Sequence, residues 1–540
     1  MKEKNIIGNL KNKAEVKVAI GFPNNYYIGM SSLGWQVLYK ELNRRTDVLC
    51  DRFFLEDDKK IKTLDSRRYL SEFNIIGFSV YYELDYINII KILKNSSIPV
   101  YSRDRYQGYP LIIAGGPAVT LNPEPISDFI DIFVIGEGEE VIHEIIDIYK
   151  RIGVSQQSRK FKEEYFRHIV SLRGVYIPSI KNKVKRRIVS DINLVDTSSA
   201  IISSNTDFKN MYLIEIARGC GRGCRFCAAG YIYRKPRLRN LSSISSLLDE
   251  ASKLTDKIGL VGSSVTDYPW ISDLCKMLSR NRFRVSTSSL RIDKLNDGFF
   301  DMLVGGGQRT LTIAPEAASK RLKRFIGKDL DNGLLLKIVE KAVLKGISNI
   351  KLYFMIGLPT EVKSDIEDIV YLVKEIRKVF LSLAKVKGRT GELILSISPF
   401  IPKPFTPFQW EGINKQEDIE EKFLYIKNQL WKEGGIIIKS ENTGSFLLQA
   451  AISRGDKNMA EILLGIADGR IKQKAREFFS GDTITRWYEN DVLPWDFIDS
   501  GISREYLLEE RKRAYEGKPQ HTCKIDEEGC KICGVCNGIV

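Results

Sequence analysis

Histidine is scarce in this sequence, which has only His143, His168 and His521 in 540 residues. An imidazole ligand is therefore not expected at a metal site. Long apolar runs are also missing: no stretch of about eighteen apolar residues occurs, the length that a membrane-spanning helix needs. The polar amino terminus has no apolar signal-peptide segment. The sequence thus predicts no membrane association and a cytoplasmic location.

Cysteine is present but unevenly placed. The nine cysteines form one cluster at 220–227, a second at 523–536, and two lone residues, Cys50 and Cys275. An odd number grouped in this way suits a reduced compartment with metal sites better than a disulfide framework. The 43% apolar content is enough for folded cores, and 540 residues are too many for one ordinary domain.

The first 150 residues alternate apolar strands with amphipathic helices. The apolar runs at 15–22, 74–82 and 131–140 are each followed by a helical pattern, and a fourth run at 110–119 contains a Gly-Gly turn. Buried strands that alternate with helices predict an α/β fold with a doubly wound parallel sheet. Ligands bind such sheets at the carboxyl ends of the strands.

The remaining chain divides into four further segments. Residues 151–210 are irregular and are interpreted as a linker with a small strand pair. Six strand–helix repeats over 211–410 predict a partial (β/α)6 barrel, whose active site is expected at the carboxyl ends of its strands. Residues 411–515 are predicted to be helical, and 516–540 form a Cys-rich tail.

The first cysteine cluster follows the first predicted barrel strand. Cys220, Cys224 and Cys227 have the spacing C-x3-C-x2-C in the stretch ARGCGRGCRFCAAG. Three thiolates on a glycine-rich loop can converge on one metal centre, but they are one short of the four that close a zinc site or a fully ligated [4Fe–4S] cluster. A three-cysteine zinc site with a remote fourth ligand is the alternative interpretation.

This stretch resembles the radical S-adenosylmethionine (SAM) superfamily. The resemblance implies a [4Fe–4S] cluster on the three cysteines, whose open iron binds SAM, and reductive cleavage of SAM to a 5′-deoxyadenosyl radical. It also implies an electron donor such as flavodoxin or ferredoxin. Gly262 matches only the first residue of the family's Gly-Gly-Glu motif. The SAM contacts that the resemblance implies are Phe226, Gly262, Glu316, Lys328, Gly357 and Pro359.

The amino-terminal segment resembles the cobalamin-binding domains that precede many radical SAM barrels. The resemblance implies cobalamin contacts at Ser79, Gly115, Gly116 and Gly136. The segment NNYYIGMSSLG has no histidine where relatives carry a cobalt-ligating imidazole. Either cobalamin binds without a protein ligand, or the site has been lost, or the glycines only make tight turns between strands and helices.

The tail carries the second cluster, in which Cys523, Cys530, Cys533 and Cys536 have the spacing C-x6-C-x2-C-x2-C. Four thiolates can close a site completely. An auxiliary iron–sulfur cluster and a structural zinc knot are both compatible with this spacing.

Along nearly its whole length, the chain resembles uncharacterised bacterial B12-binding-domain-containing radical SAM proteins. That resemblance also implies a small radical-SAM-linked partner protein. The predicted function is a radical SAM enzyme, with methyl or methylthio transfer, assisted by cobalamin, among its reactions. Catalytic residues beyond the cluster ligands are not predicted.

RNA is the leading substrate hypothesis. The net charge is +15, and the run Arg218–Arg239 holds seven basic residues and no acid. Basic clusters bind phosphates, which gives affinity without sequence specificity. The alternatives are an enzyme that acts on a protein or a small metabolite, and a non-enzymatic sensor that carries iron–sulfur clusters or cobalamin.

Overall fold

The computed structural model describes residues 3–8, 10–56, 60–106, 108–153, 159–287, 290–387, 391–440, 442–470, 487–523 and 530–538. The strands are β1 Glu3–Asn5, β2 Val16–Phe22, β3 Val48–Phe54, β4 Ile75–Ser79, β5 Leu111–Gly115, β6 Ile132–Val134, β7 Val175–Tyr176, β8 Val184–Lys185, β9 Ile201–Ser203, β10 Tyr212–Glu215, β11 Ala217–Arg218, β12 Arg237–Leu238, β13 Lys257–Val261, β14 Arg284–Thr287, β15 Thr310–Glu316, β16 Asn349–Ile356, β17 Leu393–Pro399, β18 Ile436–Ser440 and β19 Ile498–Asp499.

The helices, in chain order, are α1 Tyr26–Met30, α2 Leu33–Arg44, α3 Asp85–Asn95, α4 Pro117–Leu121, α5 Val141–Ile152, α6 Arg159–Ile169, α7 Ala229–Ile232, α8 Leu241–Ser252, α9 Ile271–Arg280, α10 Asp297–Gly305, α11 Lys320–Phe325, α12 Asn332–Lys345, α13 Lys363–Lys387, α14 Gln416–Leu430, α15 Thr443–Arg454, α16 Met459–Ala467 and α17 Arg504–Tyr515. No helix within the described ranges is long and apolar enough to cross a membrane.

The amino-terminal domain is built on a six-stranded sheet of order β3-β2-β4-β5-β6-β7. All neighbouring strands are parallel except β6 and β7. Strands such as β2, with the sequence VKVAIGF, are buried on both faces because helices cover both sides of the sheet. One core contains α3 residues and the other contains residues of α2, α5 and α6.

The interpretation of residues 151–210 as a linker is wrong for most of this segment. Helix α6 packs in the core of the amino-terminal domain, β7 extends its sheet, and β9 pairs with β1. Strands of two and three residues are too short to show an alternating pattern, so the sequence gives little sign of them.

The second half of the chain forms parallel strands covered by helices. The strands lie in two sheets, β10-β13-β14 and β15-β16-β17-β18. In β15, β16 and β17 every second residue is buried against the helices, and the intervening residues face the lumen. Six of these strands lie where the sequence predicts them, but β18 is a seventh, inside the segment expected to be helical.

Residues 442–470 and 487–515 tie the two halves together. The Asn122 amide donates hydrogen bonds to the carbonyls of Ser453 and Gly455, at 3.2 and 2.8 Å. Strand β19 pairs with β8, and α16 packs against α3. These residues therefore fix the amino-terminal domain against the barrel.

Candidate active site

The loop that carries the first cysteine cluster connects β11 to α7. The Cys227 amide donates to the Cys224 carbonyl at 3.1 Å, and the Gly230 amide donates to the Cys227 carbonyl, also at 3.1 Å. Gly219 and Gly223 turn the chain with φ of 85° and 70°, a region that disfavours other residues. The loop therefore coils tightly around a small space.

The three thiols are close enough to influence each other. The pKa of Cys224 is raised to about 12, chiefly by burial and in smaller part by the neighbouring thiols Cys227 and Cys220, while the Lys328 ammonium opposes the shift. Burial also raises the pKa of Cys227. A bound metal centre would supply the positive charge that holds these sulfurs as thiolates.

The donor set of this loop fits an iron–sulfur cluster. In a [4Fe–4S] cluster each cysteine binds a different iron, so the three thiols of the loop would hold three irons and leave the fourth open to another ligand. A closed tetrahedral zinc site would need a fourth ligand from elsewhere in the chain.

Lys328 and Glu316 lie beside this loop. The Lys328 ammonium donates to Glu316 Oε1 at 3.0 Å, and it is near enough to Cys224 and Cys227 to lower the pKa of both thiols against the larger effect of burial. Glu316 ends β15 with φ of 66°, an uncommon conformation for this residue type that marks many functional sites. Both residues therefore lie beside the cysteine loop.

The apolar members of the predicted site also meet near the loop. Phe226 packs against a cluster that contains Ala317, which follows β15, and Leu358, which follows β16. Gly357 has φ of 76°, and its amide donates to Glu361 Oε1 at 2.9 Å. Pro359 lies two residues after Gly357 and is half-buried. The motifs on β15 and β16 therefore form one wall of the site.

A cavity of about 660 Å³ lies between the amino-terminal sheet and the barrel. The carboxyl-end residues Ser79, Gly115, Gly116 and Gly136 line one side. On the barrel side, the lining includes residues beside the first cysteine and at the end of β13, namely Gly219, Gly262 and Ser263. This interdomain cavity is therefore continuous with the cysteine loop.

The glycines of this cavity have a structural explanation. A Cβ on Gly116, which has φ of 108°, would lie 2.5 Å from the Val80 carbonyl oxygen. A Cβ on Gly136, which has φ of 103°, would lie 2.2 Å from the Arg187 carbonyl oxygen. No histidine among the described residues lines the cavity. The glycine pattern thus follows from tight turns and does not by itself indicate cobalamin.

Comparison with known proteins agrees with this geometry. Residues 214–373 match the family described as the radical SAM superfamily, and residues 34–178 match the family described as radical SAM proteins, N-terminal. The chain belongs to the radical SAM superfamily. It is an α/β enzyme of that superfamily, whose members use a [4Fe–4S] cluster and SAM.

Three relatives span different shares of the chain. An uncharacterized protein of Methanocaldococcus jannaschii is 35% identical over 83% of this chain and 90% of its own length. An uncharacterized methyltransferase of Pyrococcus horikoshii is 24% identical over 54% of this chain and 61% of its own length. A tRNA-2-methylthio-N(6)-dimethylallyladenosine synthase of Hydrogenobaculum is 29% identical over 37% of this chain and 49% of its own length.

Among solved structures, Streptococcus suis SuiB bound to S-adenosylmethionine is similar with a TM-score of 0.30 and 11% identity. The similarity covers 57% of this chain and 63% of SuiB.

The basic run around the radical SAM cysteines is not a free phosphate-binding surface. Arg225 and Glu510 form a fully buried ion pair at 3.2 Å. Arg222 pairs with Asp267, and Arg234 donates to the Tyr506 hydroxyl at 2.8 Å. Arg237 and Arg239 are also engaged, with Glu137 and with backbone carbonyls. These arginines therefore have protein partners, so the run by itself gives little support to the RNA hypothesis.

Arg218 joins the cysteine loop to the amino-terminal domain. It lies 3.1 Å from Glu137, 2.7 Å from Glu139 and 2.7 Å from Glu215, all of which line the interdomain cavity. Burial raises the pKa of Glu139. Burial alone would also raise the pKa of Glu137. The Arg218 and Arg237 guanidiniums outweigh that effect and hold the pKa of this carboxyl below its usual range. Sequence reasoning missed this network, because its members are far apart in the chain.

A second missed feature is a polar pair in the barrel lumen. The Lys351 ammonium donates to the Tyr353 hydroxyl at 2.6 Å. Both residues are on the lumen face of β16, and Tyr353 is in register with Ser396 of β17. Alternating polar residues in an otherwise apolar strand are a signal that could have revealed them.

Proposed function

We propose that Cys220, Cys224 and Cys227 hold the [4Fe–4S] cluster of this enzyme and leave one iron open to SAM. The observation that carries this proposal is that three thiols on one loop lie beside the Lys328–Glu316 pair, at the carboxyl ends of the barrel strands. When bound and reduced, the cluster supplies the cleavage of SAM to methionine and a 5′-deoxyadenosyl radical.

The side chains around the loop would bind and orient SAM. In this proposal the Lys328 ammonium, which lies 3.0 Å from Glu316 Oε1, would bind the SAM carboxylate through a charge-assisted hydrogen bond. The Gly262 backbone, which lines the cavity, would contact the SAM amino group. Phe226, together with Gly357 and Pro359, offers an apolar wall for adenine. Closing such a site from water protects a reactive radical from side reactions.

The proposed net reaction is methyl or methylthio transfer. The relatives named as a methyltransferase and as a tRNA-2-methylthio-N(6)-dimethylallyladenosine synthase support this reaction class. The acceptor would lie in the interdomain cavity, which reaches the cysteine loop. In a cobalamin-assisted form, the same cavity would hold cobalamin without an imidazole ligand from this chain. Cobalt bound per chain after incubation with hydroxocobalamin tests that form.

RNA remains the proposed substrate class, and its support is now the tRNA-modifying relative rather than the basic run. The experiment supplies SAM labelled in its methyl group, a reductant such as reduced flavodoxin, and either total tRNA or total protein. Label in tRNA supports the proposal. Label only in protein or in a small molecule refutes it. RNA binding that is absent even at low salt would also refute it, because phosphate contacts strengthen as salt falls.

A further inference from the structure

The Cys-rich tail lies directly on the loop that carries the radical SAM cysteines. The Cys523 amide donates to the Gly221 carbonyl at 2.6 Å. The Gln520 amide side chain donates to the Arg222 carbonyl at 3.3 Å. Because one residue step is about 3.8 Å, Cys523 and Cys220 have Cα atoms within about 10 Å of each other along this path. The two cysteine clusters are therefore neighbours.

Two glycines of the loop make this contact possible. A Cβ on Gly221 would lie 2.4 Å from the Cys523 carbonyl oxygen. A Cβ on Gly223 would lie 2.4 Å from the His521 carbonyl oxygen. Real Cβ atoms essentially never approach a carbonyl oxygen so closely. The glycines between the first two cysteines are thus explained by the tail as well as by the turn of the loop.

Helix α17 holds the loop and the tail together. Arg225, in the loop, forms its buried ion pair with Glu510 of α17, and its guanidinium also donates to the Lys518 carbonyl at 2.8 Å. The His521 amide donates to Glu510 Oε1 at 2.9 Å. At the other end of α17, the Ser503 amide donates to the Cys533 carbonyl at 2.9 Å. One helix therefore anchors both cysteine clusters.

The chemistry of the tail indicates an iron–sulfur centre. Cys533 is buried, and Cys523, Cys530 and Cys536 are half-buried, so none is freely exposed to solvent. The last three of these cysteines have the spacing C-x2-C-x2-C, which is typical of iron–sulfur loops. Four thiols shielded from solvent can ligate all four irons of a [4Fe–4S] cluster.

We propose that Cys523, Cys530, Cys533 and Cys536 hold a second [4Fe–4S] cluster, and that this centre clamps the radical SAM loop in place. This inference depends on the proposed function in one respect, namely that the clamped loop carries the catalytic cluster. The second cluster would order the tail, and the ordered tail would fix Gly221 and Gly223 between the catalytic cysteines.

Metal counting tests the site. Anaerobically reconstituted wild type is expected to hold about eight iron and eight sulfide per chain, and Cys530→Ser with Cys536→Ser about four of each. Cys275→Ala, a buried cysteine of α9 outside both clusters, is the matched control and should match wild type. About four iron in wild type, or about one tightly bound zinc with four iron, would overturn the proposal.

Hydrogen exchange tests the clamp. Peptides that cover residues 219–230 should exchange faster in the double variant than in wild type or the Cys275→Ala control, because the tail no longer holds the loop. Equal exchange in all three proteins would overturn the clamp even if the second cluster is present. Neither readout depends on SAM cleavage, so a failure of the proposed catalytic function would be recognised separately.

Discussion

The buried ion pair between Arg225 and Glu510 allows a quantitative prediction about the active-site loop. Both side chains are 0% exposed, and they lie 3.2 Å apart. In Glu510→Ala, the Arg225 guanidinium keeps the carbonyls of Arg324, Phe325 and Lys518 at 2.9, 3.0 and 2.8 Å, but it loses its counter-charge. Breaking one side of a buried pair costs about 3–5 kcal/mol.

This loss of free energy should appear as more frequent local opening of the active-site loop, because a chain with several domains does not unfold in one step. About 3–5 kcal/mol corresponds to a roughly 100- to 4,000-fold increase in the open population. Amide exchange of the peptide that contains Arg225 should therefore accelerate by about that factor under conditions where exchange reports the opening equilibrium.

A control on the same helix separates the buried charge from an effect on α17. Glu509 is exposed, so Glu509→Gln should change the opening free energy by less than about 0.5 kcal/mol. Glu510→Gln keeps the shape and should lie between Glu510→Ala and wild type. If amide exchange in Glu510→Ala stays within about twofold of wild type, the buried ion pair does not stabilise the loop as described, because a fully buried unpaired guanidinium should destabilise it by far more.

Three further predictions concern other parts of the molecule. Lys328→Met should weaken SAM binding about 10- to 100-fold in anaerobic calorimetry, because a charge-assisted hydrogen bond is lost. Lys320→Met, at an exposed position, should leave SAM affinity unchanged. Equal SAM affinities of the two variants would contradict the role assigned to Lys328. Gly221→Ala should displace the tail and make it more susceptible to proteolysis. In Gly230→Ala the added Cβ would lie 4.0 Å from its nearest neighbour, so this control should leave the tail in place. A tail that resists proteolysis equally in both variants would contradict the contact between Gly221 and the tail. Asp85→Asn should stabilise the amino-terminal domain at pH 7 by roughly 1–3 kcal/mol in denaturant unfolding.

The sign of the Asp85 prediction follows from burial, which raises the pKa of that carboxyl to about 6 from 3.8. The folded state therefore binds the proton more tightly than the unfolded chain does. Its contribution favours folding below pH 3.8 and is lost as the pH rises through about 6. Wild type should lose more stability than Asp85→Asn across this window, and parallel pH profiles would contradict the assignment.

The positions of the barrel strands and of the cysteine loop could be predicted from sequence, because strong local patterns encode them. Strands β15 and β16 have clear alternation, and Cys220, Cys224 and Cys227 lie in one short loop. Glu316, the last residue of β15, and Lys328, which follows α11, were implied only by the family resemblance.

The features that were missed depend on contacts between distant segments. The basic run looks like a phosphate-binding surface until Glu510 and Asp267, far away in the chain, are seen to neutralise Arg225 and Arg222. Strand β18, with the short sequence IIIKS, gains its place from pairing with β17 rather than from its own pattern. The contact of the tail with Gly221 likewise has no local signal.

The formation of 5′-deoxyadenosine from SAM tests the central claim most directly. Reconstituted wild type, Cys224→Ala and the Cys275→Ala control would be incubated anaerobically with SAM and dithionite, and the nucleoside would be quantified per iron. We expect 5′-deoxyadenosine from wild type and from Cys275→Ala, and none above background from Cys224→Ala. If wild-type protein with a full iron complement yields no 5′-deoxyadenosine, the chain does not cleave SAM reductively, and a non-enzymatic sensor is favoured.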